Sequence, residues 1–113
     1  MAGCEFRSAY FTPTFSTHAG QVCGGVQVHI TDRNALRPVT VGIHLIEAIL
    51  TLYPDAFAWR EPEPDSFFID LLLGSGQPRK LLSSGESAAA VMASWEAESA
   101  RLADRRRPFL LYM

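Results

Sequence analysis

Residues 9–32 read AYFTPTFSTHAGQVCGGVQVHITD: two strand-like runs held apart by a dozen residues of Pro, Thr, Ser, His, Gly and Cys. This stretch constrains the fold more than any other. A tight hairpin turns in about two to five residues, so a connection this long, stiffened by Pro13 and freed by Gly20, Gly24 and Gly25, is expected to serve a purpose beyond reversing the chain. Its flanks set the strands. In EFRSAYF, Phe6, Ser8 and Tyr10 alternate with Arg7, Ala9 and Phe11, which suits a strand partly covered on both sides. In GVQVHIT, Val26, Val28 and Ile30 point one way and Gln27, His29 and Thr31 the other. The aliphatic side is expected to be core, and the amide, imidazole and hydroxyl side is candidate binding surface.

The remainder is mainly helical. TDRNALRPV is a cap-rich turn that places Pro38 in the first turn of a helix. That helix is expected over 39–53, with a stripe of Val39, Ile43, Ile46, Leu50 and Tyr53 widened by Leu45, Ile49 and Leu52. Thr40, His44, Glu47 and Thr51 form its polar complement. After the proline-rich REPEP loop, Asp65 or Ser66 can cap a short helix, SFFIDLLLG, that stops at Gly74. A further short helix is expected at PRKLL. Ser87 opens a longer one reaching Arg105, with Val91, Met92, Trp95 and Leu102 on its buried side. The closing PFLLYM is apolar and is expected as a third strand beside the first two. The fold class is α+β: one domain over 1–113, a small and mostly antiparallel sheet covered by three to four helices.

Composition narrows the function. With 48% hydrophobic residues and a net charge of −2, the chain can bury a core. Its only cationic cluster is Arg105, Arg106 and Arg107, which suits a helix end. Nothing marks a nucleic-acid surface, and no apolar run approaches the roughly 18 residues of a membrane span. MAGCEFRSAY shows no apolar h-region of a signal peptide, and so abrupt a start is expected of a piece of a longer protein.

Four kinds of site can be weighed. Cys4, Cys23, His18 and His29 are metal-ligand types, but they lack C-x-x-C or H-x-x-x-H spacing, and no metal is expected. Cys23 beside Gly24 and Gly25 could serve as a nucleophile, yet nothing in the sequence would lower its pKa; two small buried thiols are the simpler reading. A glycosidase pair needs two carboxyls roughly 5 to 10 Å apart, and only Asp32, at the end of the polar strand face, is suggestive, though a turn or cap residue is its simpler reading. Trp95-Glu96 resembles a sugar platform, but Trp95 falls on the core stripe. What remains is Thr12, Thr14, Ser16 and His18 in the connection, with Gln27 and His29 on the strand. These hydrogen-bonding groups carry little charge and suit a neutral polar ligand such as a saccharide. They suit a polar interface with another protein domain just as well.

The run FRSAYFTPTFSTHAGQVCGGVQVHITDR resembles the C-terminal domain of the bacterial exo-β-N-acetylmuramidase family (NamZ, or YbbC-like). The family pattern is close to R-P-x-Y-F-x-P-x-F-S-K-x-x-G-x-x-C-x-G-V-Q-x-H-V-T-D. Arg7, Tyr10, Phe11, Pro13, Phe15, Ser16, Gly20, Cys23, Gly25, Val26, Gln27, His29, Thr31 and Asp32 match it; Ser8 stands where proline is usual and Thr17 where lysine is common. RPVTVGIHLIEAILTLYPDAFAW, FFIDLLLGS, ASWEAE and RRRPFLLYM also look like the family. The resemblance implies an enzyme that removes N-acetylmuramic acid from the non-reducing ends of peptidoglycan fragments without a cofactor. It further implies that the catalytic acids lie on an N-terminal Rossmann-like domain absent from this chain. The connection after β-like residues 5–11 would then be the rim of a shared cleft. Tyr10 would act at the sugar, and Thr12, Thr14, His18, Gln27, His29 and Asp32 would be substrate contacts. Thr17 removes a cation that could have met the lactyl carboxylate.

Overall fold

In the computed structural model residues 1–112 are described, and the backbone divides into two compact units, Met1–Val41 and a second beginning at Gly42. The first is built on a two-stranded antiparallel ribbon, β1 (Cys4–Phe11) and β2 (Cys23–Ile30), with Cys4 opposite Ile30 and Phe11 opposite Cys23. Directly paired residues share a face. Cys4, Phe6, Ser8 and Tyr10 therefore lie with Ile30, Val28, Val26 and Gly24, while Glu5, Arg7, Ala9 and Phe11 lie with His29, Gln27, Gly25 and Cys23.

The end of the ribbon away from the connection is fastened through Gly3. Its carbonyl accepts from the N–H groups of Thr31 (2.9 Å) and Asp32 (3.2 Å). Gly3 sits at φ +82°, and a Cβ there would lie 2.6 Å from the Leu36 nitrogen. Only glycine fits both the backbone angle and the approach. The chain then turns on Asp32, whose carboxylate accepts from the N–H groups of Asn34 (3.0 Å) and Ala35 (3.4 Å) and whose carbonyl accepts from Leu36 (3.0 Å). This delivers the chain to helix α1 (Pro38–Leu52).

The second unit packs helices. From Gly42 on, α1 contributes Ile43 to a core shared with Leu82 of α3 (Gln77–Ser83) and with Ala88 and Val91 of α4 (Ala88–Arg106). Ile46, Leu50, Trp59, Leu73, Leu81, Met92 and Trp95 pack around it, so Trp95 is a core residue as its stripe predicts. The short α2 (Phe68–Leu73) ends on Gly74 at φ +77°, the left-handed stop expected there. The α2 Asp70 carboxylate pairs with Arg79 of α3 at 3.0 Å, and the Arg79 guanidinium lies 3.8 Å from the Phe67 ring centroid. Ser87 caps α4 by accepting from the Ala90 N–H, while the Glu47 carboxylate of α1 accepts from Ala88. The polar stripe of α1 is thus partly structural.

The α+β class holds, with two antiparallel strands and four α-helices among the described residues. Several details differ from the sequence expectation. Residues 108–112 form no third strand: α4 runs directly into a 3₁₀ turn, Arg107–Phe109, and Phe109, Leu111 and Tyr112 stand exposed. The remaining residue of PFLLYM, Met113, lies outside the described residues. Helix α2 starts at Phe68, and neither Asp65 nor Ser66 caps it. Asp65 is instead turned to φ +60°, its N–H bonded to the Glu61 carboxylate at 2.7 Å, which holds 61–66 in a tight turn. Leu102 is exposed because α4 outruns its core beyond Trp95. Most consequentially, the aliphatic side of β2 is not buried: Val26 is 57% exposed and Ile30 60%. A two-stranded ribbon has no second layer of its own to cover that side.

Candidate functional site

The connection between the strands folds on itself. Gly20 N–H donates to the Pro13 carbonyl at 2.9 Å, Ala19 to Ser16 at 3.2 Å and Gln21 to His18 at 3.0 Å. Ser16 and His18 both adopt positive φ, at 65° and 61°, as does Gly20 at 80°. Left-handed backbone at a non-glycine residue costs about 1 kcal/mol or more and persists where surrounding bonds over-determine it. Here the three internal hydrogen bonds and Pro13 do so. The Cys23 thiol closes the base, donating to the Gln21 carbonyl at 3.6 Å. The product is a compact loop of the Ω kind with its side chains in solvent, Phe15 and Val22 among them.

The glycines after the loop make room for aromatic rings. A Cβ on Gly24 would lie 3.5 Å from Tyr10 Cε1, and one on Gly25 only 2.8 Å from Phe11 Cε1. Each ring therefore leans across the partner strand where no side chain opposes it, and Tyr10 remains 83% exposed. Tyr10, Thr12, Thr14 and His18 all belong to the loop end of the ribbon. Thr12, Thr14 and His18 are exposed there, and the loop 12–22 contains no carboxylate.

The other anticipated residues are distributed differently. Gln27 and His29 share a face, but it is the face opposite Tyr10. That face is also more charged than β2 alone suggests, because Arg7 and Glu5 sit across from them and the Arg7 guanidinium donates to Gln27 Oε1 at 2.7 Å. Asp32 lies past the far end of β2, roughly 20 Å or more from the loop along the strand, with its carboxylate engaged in the turn. Cys4 and Cys23 are free thiols at opposite ends and on opposite faces of the ribbon. That separation is far beyond the roughly 7 Å a disulfide can bridge.

Two residues escaped the sequence reading. Gln21 bonds to the His18 ring, Oε1 to Nδ1 at 3.1 Å; its position three residues on, within one loop, was the available signal. Arg7 is visible in the sequence as a strand residue and a match to the family pattern, and its pairing with Gln27 follows from the register. A hollow of about 480 Å³ on the helical unit is lined by Glu47, Leu50, Thr51, Pro54, Leu82, Ser83, Gly85, Glu86 and Ser87 and involves none of the anticipated site residues. No cluster of three or more His, Cys, Asp or Glu with metal-site geometry occurs among the described residues, and no helix there is long and apolar enough to cross a membrane.

The profile of the family described as exo-β-N-acetylmuramidase NamZ, C-terminal, matches residues 1–112 and so spans both compact units. The chain belongs to the NamZ C-terminal family. It is 37% identical over 112 residues to the peptidoglycan β-N-acetylmuramidase NamZ of Bacillus subtilis (strain 168), an alignment covering 99% of this chain but 26% of that protein. No solved structure matches. Within this NamZ C-terminal domain, the loop end of the ribbon supplies a phenol, two threonine hydroxyls and an imidazole on a braced backbone. Such groups can hydrogen-bond and stack against a neutral polar ligand.

Proposed function

We propose that this domain forms one wall of the substrate cleft of a peptidoglycan-degrading exo-β-N-acetylmuramidase, which releases N-acetylmuramic acid from non-reducing ends. In this reading the catalytic carboxylates come from an N-terminal Rossmann-like domain, and the chain alone does not turn over substrate. The observation that carries the proposal is the braced, carboxylate-free loop beside Tyr10, in a chain that matches the family along its described length. A rigid polar rim binds without the entropy cost of ordering a floppy one, yet hydrolysis of a glycoside needs acids that this rim lacks. Tyr10 is assigned to donate a hydrogen bond to a ring or leaving oxygen, or to orient a carboxylate from the other domain. Thr12, Thr14 and His18 are assigned to sugar hydroxyl and N-acetyl groups. Gln27, His29 and Asp32 stand away from this cluster, so the reading centres on the loop.

A second reading is an interaction module that docks a partner chain and binds no sugar. The exposed aliphatic side of the ribbon, Phe6, Val26, Val28 and Ile30, favours a docking role for that face rather than for the polar one carrying Gln27 and His29. Both readings accommodate a neighbouring N-terminal domain seated on it. Titration of the ¹⁵N-labelled chain with muropeptides separates them. The cleft-wall reading predicts shifts confined to residues 10–22. Unchanged spectra at millimolar muropeptide would leave only the docking role.

A further inference from the structure

Resting on the cleft-wall reading, one contact specifies what the rim can recognise. His18 Nδ1 lies 3.1 Å from Gln21 Oε1. An amide oxygen can only accept, so in the neutral ring the proton resides on Nδ1 and Nε2 keeps its lone pair. The ring of a histidine side chain free in water prefers the opposite, Nε2–H tautomer. The His18 backbone is held at φ +61°, and Gln21 N–H bonds to the His18 carbonyl at 3.0 Å. The backbones of the pair are therefore tied together, which keeps the Gln21 amide within reach of the ring.

We infer that Gln21 is a positioning residue that locks His18 as the Nδ1–H tautomer and so makes Nε2 a hydrogen-bond acceptor for a sugar hydroxyl or amide N–H. A neutral acceptor repels a carboxylate oxygen. With Thr17, an uncharged residue, beside His18, this part of the rim reads the uncharged portion of the saccharide and contributes nothing to recognition of the lactyl acid. The specificity assigned to the loop is thus for the hydroxylated N-acetylhexosamine body that muramic and glucosamine units share.

The test begins without ligand. Long-range ¹⁵N correlation spectra of the full chain, recorded at a pH where the imidazole is neutral, are expected to show His18 with a protonated Nδ1 and a bare Nε2. Gln21→Leu should return the ring to a mainly Nε2–H population, and Gln21→Glu, which keeps an accepting oxygen, should restore the Nδ1–H form. A wild-type ring protonated on Nε2, or a Gln21→Leu ring unchanged from wild type, would overturn the lock. The methyl glycosides of N-acetylglucosamine and N-acetylmuramic acid are then added separately. Comparable displacement of the Nε2 resonance by both supports recognition of the neutral body. A response to the muramic glycoside alone, or to neither, overturns that recognition while the ligand-free tautomer remains a separate result. The cleft-wall reading itself is tested separately, by the muropeptide titration of residues 10–22 and by turnover when this domain is joined to an N-terminal partner.

Discussion

Glycines in this chain are interchangeable in composition but not in cost. Gly3 combines φ +82° with backbone atoms 2.6 to 2.8 Å from where a Cβ would stand. Neither the angle nor the neighbours can relax without moving the turn at 32–36. Gly25 has an equally short contact, 2.8 Å, but to the ring of Phe11, an exposed side chain that can rotate away. Gly3→Ala is therefore expected to destabilise the protein by about 2–4 kcal/mol, and Gly25→Ala by under about 1 kcal/mol. Urea midpoints at constant slope measure both, and equal losses would show that the Gly3 approach is not what fastens the ribbon. His18 is legible in the sequence as a polar group of a stiff connection, whereas Tyr10 reads as a strand residue and is singled out only by the family resemblance. The pairing of His18 with Gln21 was not, because a positive φ at histidine has no compositional mark. Asp32 illustrates the converse: its type and position suit a turn cap before a ligand contact, and its hydrogen bonds to Asn34 and Ala35 show it holding the turn.

At the scale of elements, local signals were read well where the deciding physics is local. Ser87 caps α4, Gly74 stops α2 and Pro38 starts α1, since caps and breakers act within one turn. The alternation in β2 likewise specified a strand, but alternation encodes two unlike faces and is silent on what covers them; the side expected to be core is open. The apolar tail 108–112 departs from the expected strand for a related reason. Hydrophobicity over so short a segment cannot distinguish a paired strand from the irregular end of a helix. Helix α4 also shows what a sequence conceals: its first turn is satisfied twice, by Ser87 and by Glu47 from a distant part of the chain. Ser87→Ala and Glu47→Ala are each expected to cost about 1–2 kcal/mol. Thermal melts of the two variants should fall below wild type by several degrees. An unchanged Glu47→Ala melt would mean that the carboxylate adds nothing to α4.

For the whole molecule, the central claim is the proposed division of labour, in which this domain would offer a shaped, uncharged rim and the acids that break the glycosidic bond would arrive from another domain. The proposal is motivated by the absence of any carboxylate in the loop 12–22 and by a match that spans 26% of a peptidoglycan β-N-acetylmuramidase. Tyr10 belongs to this scale, because its assigned partner lies in the completed cleft. In a protein joining this chain to an N-terminal domain of the family, Tyr10→Phe should lower kcat by about 10- to 100-fold, the loss of one hydrogen bond to a developing charge. The most direct measurement is hydrolysis of a chromogenic N-acetylmuramic acid glycoside by the isolated chain and by that two-domain protein, side by side. The account predicts no turnover above background from the chain alone and turnover from the joined protein. Robust hydrolysis by the isolated chain would contradict it, because the catalytic acids would then have to be here.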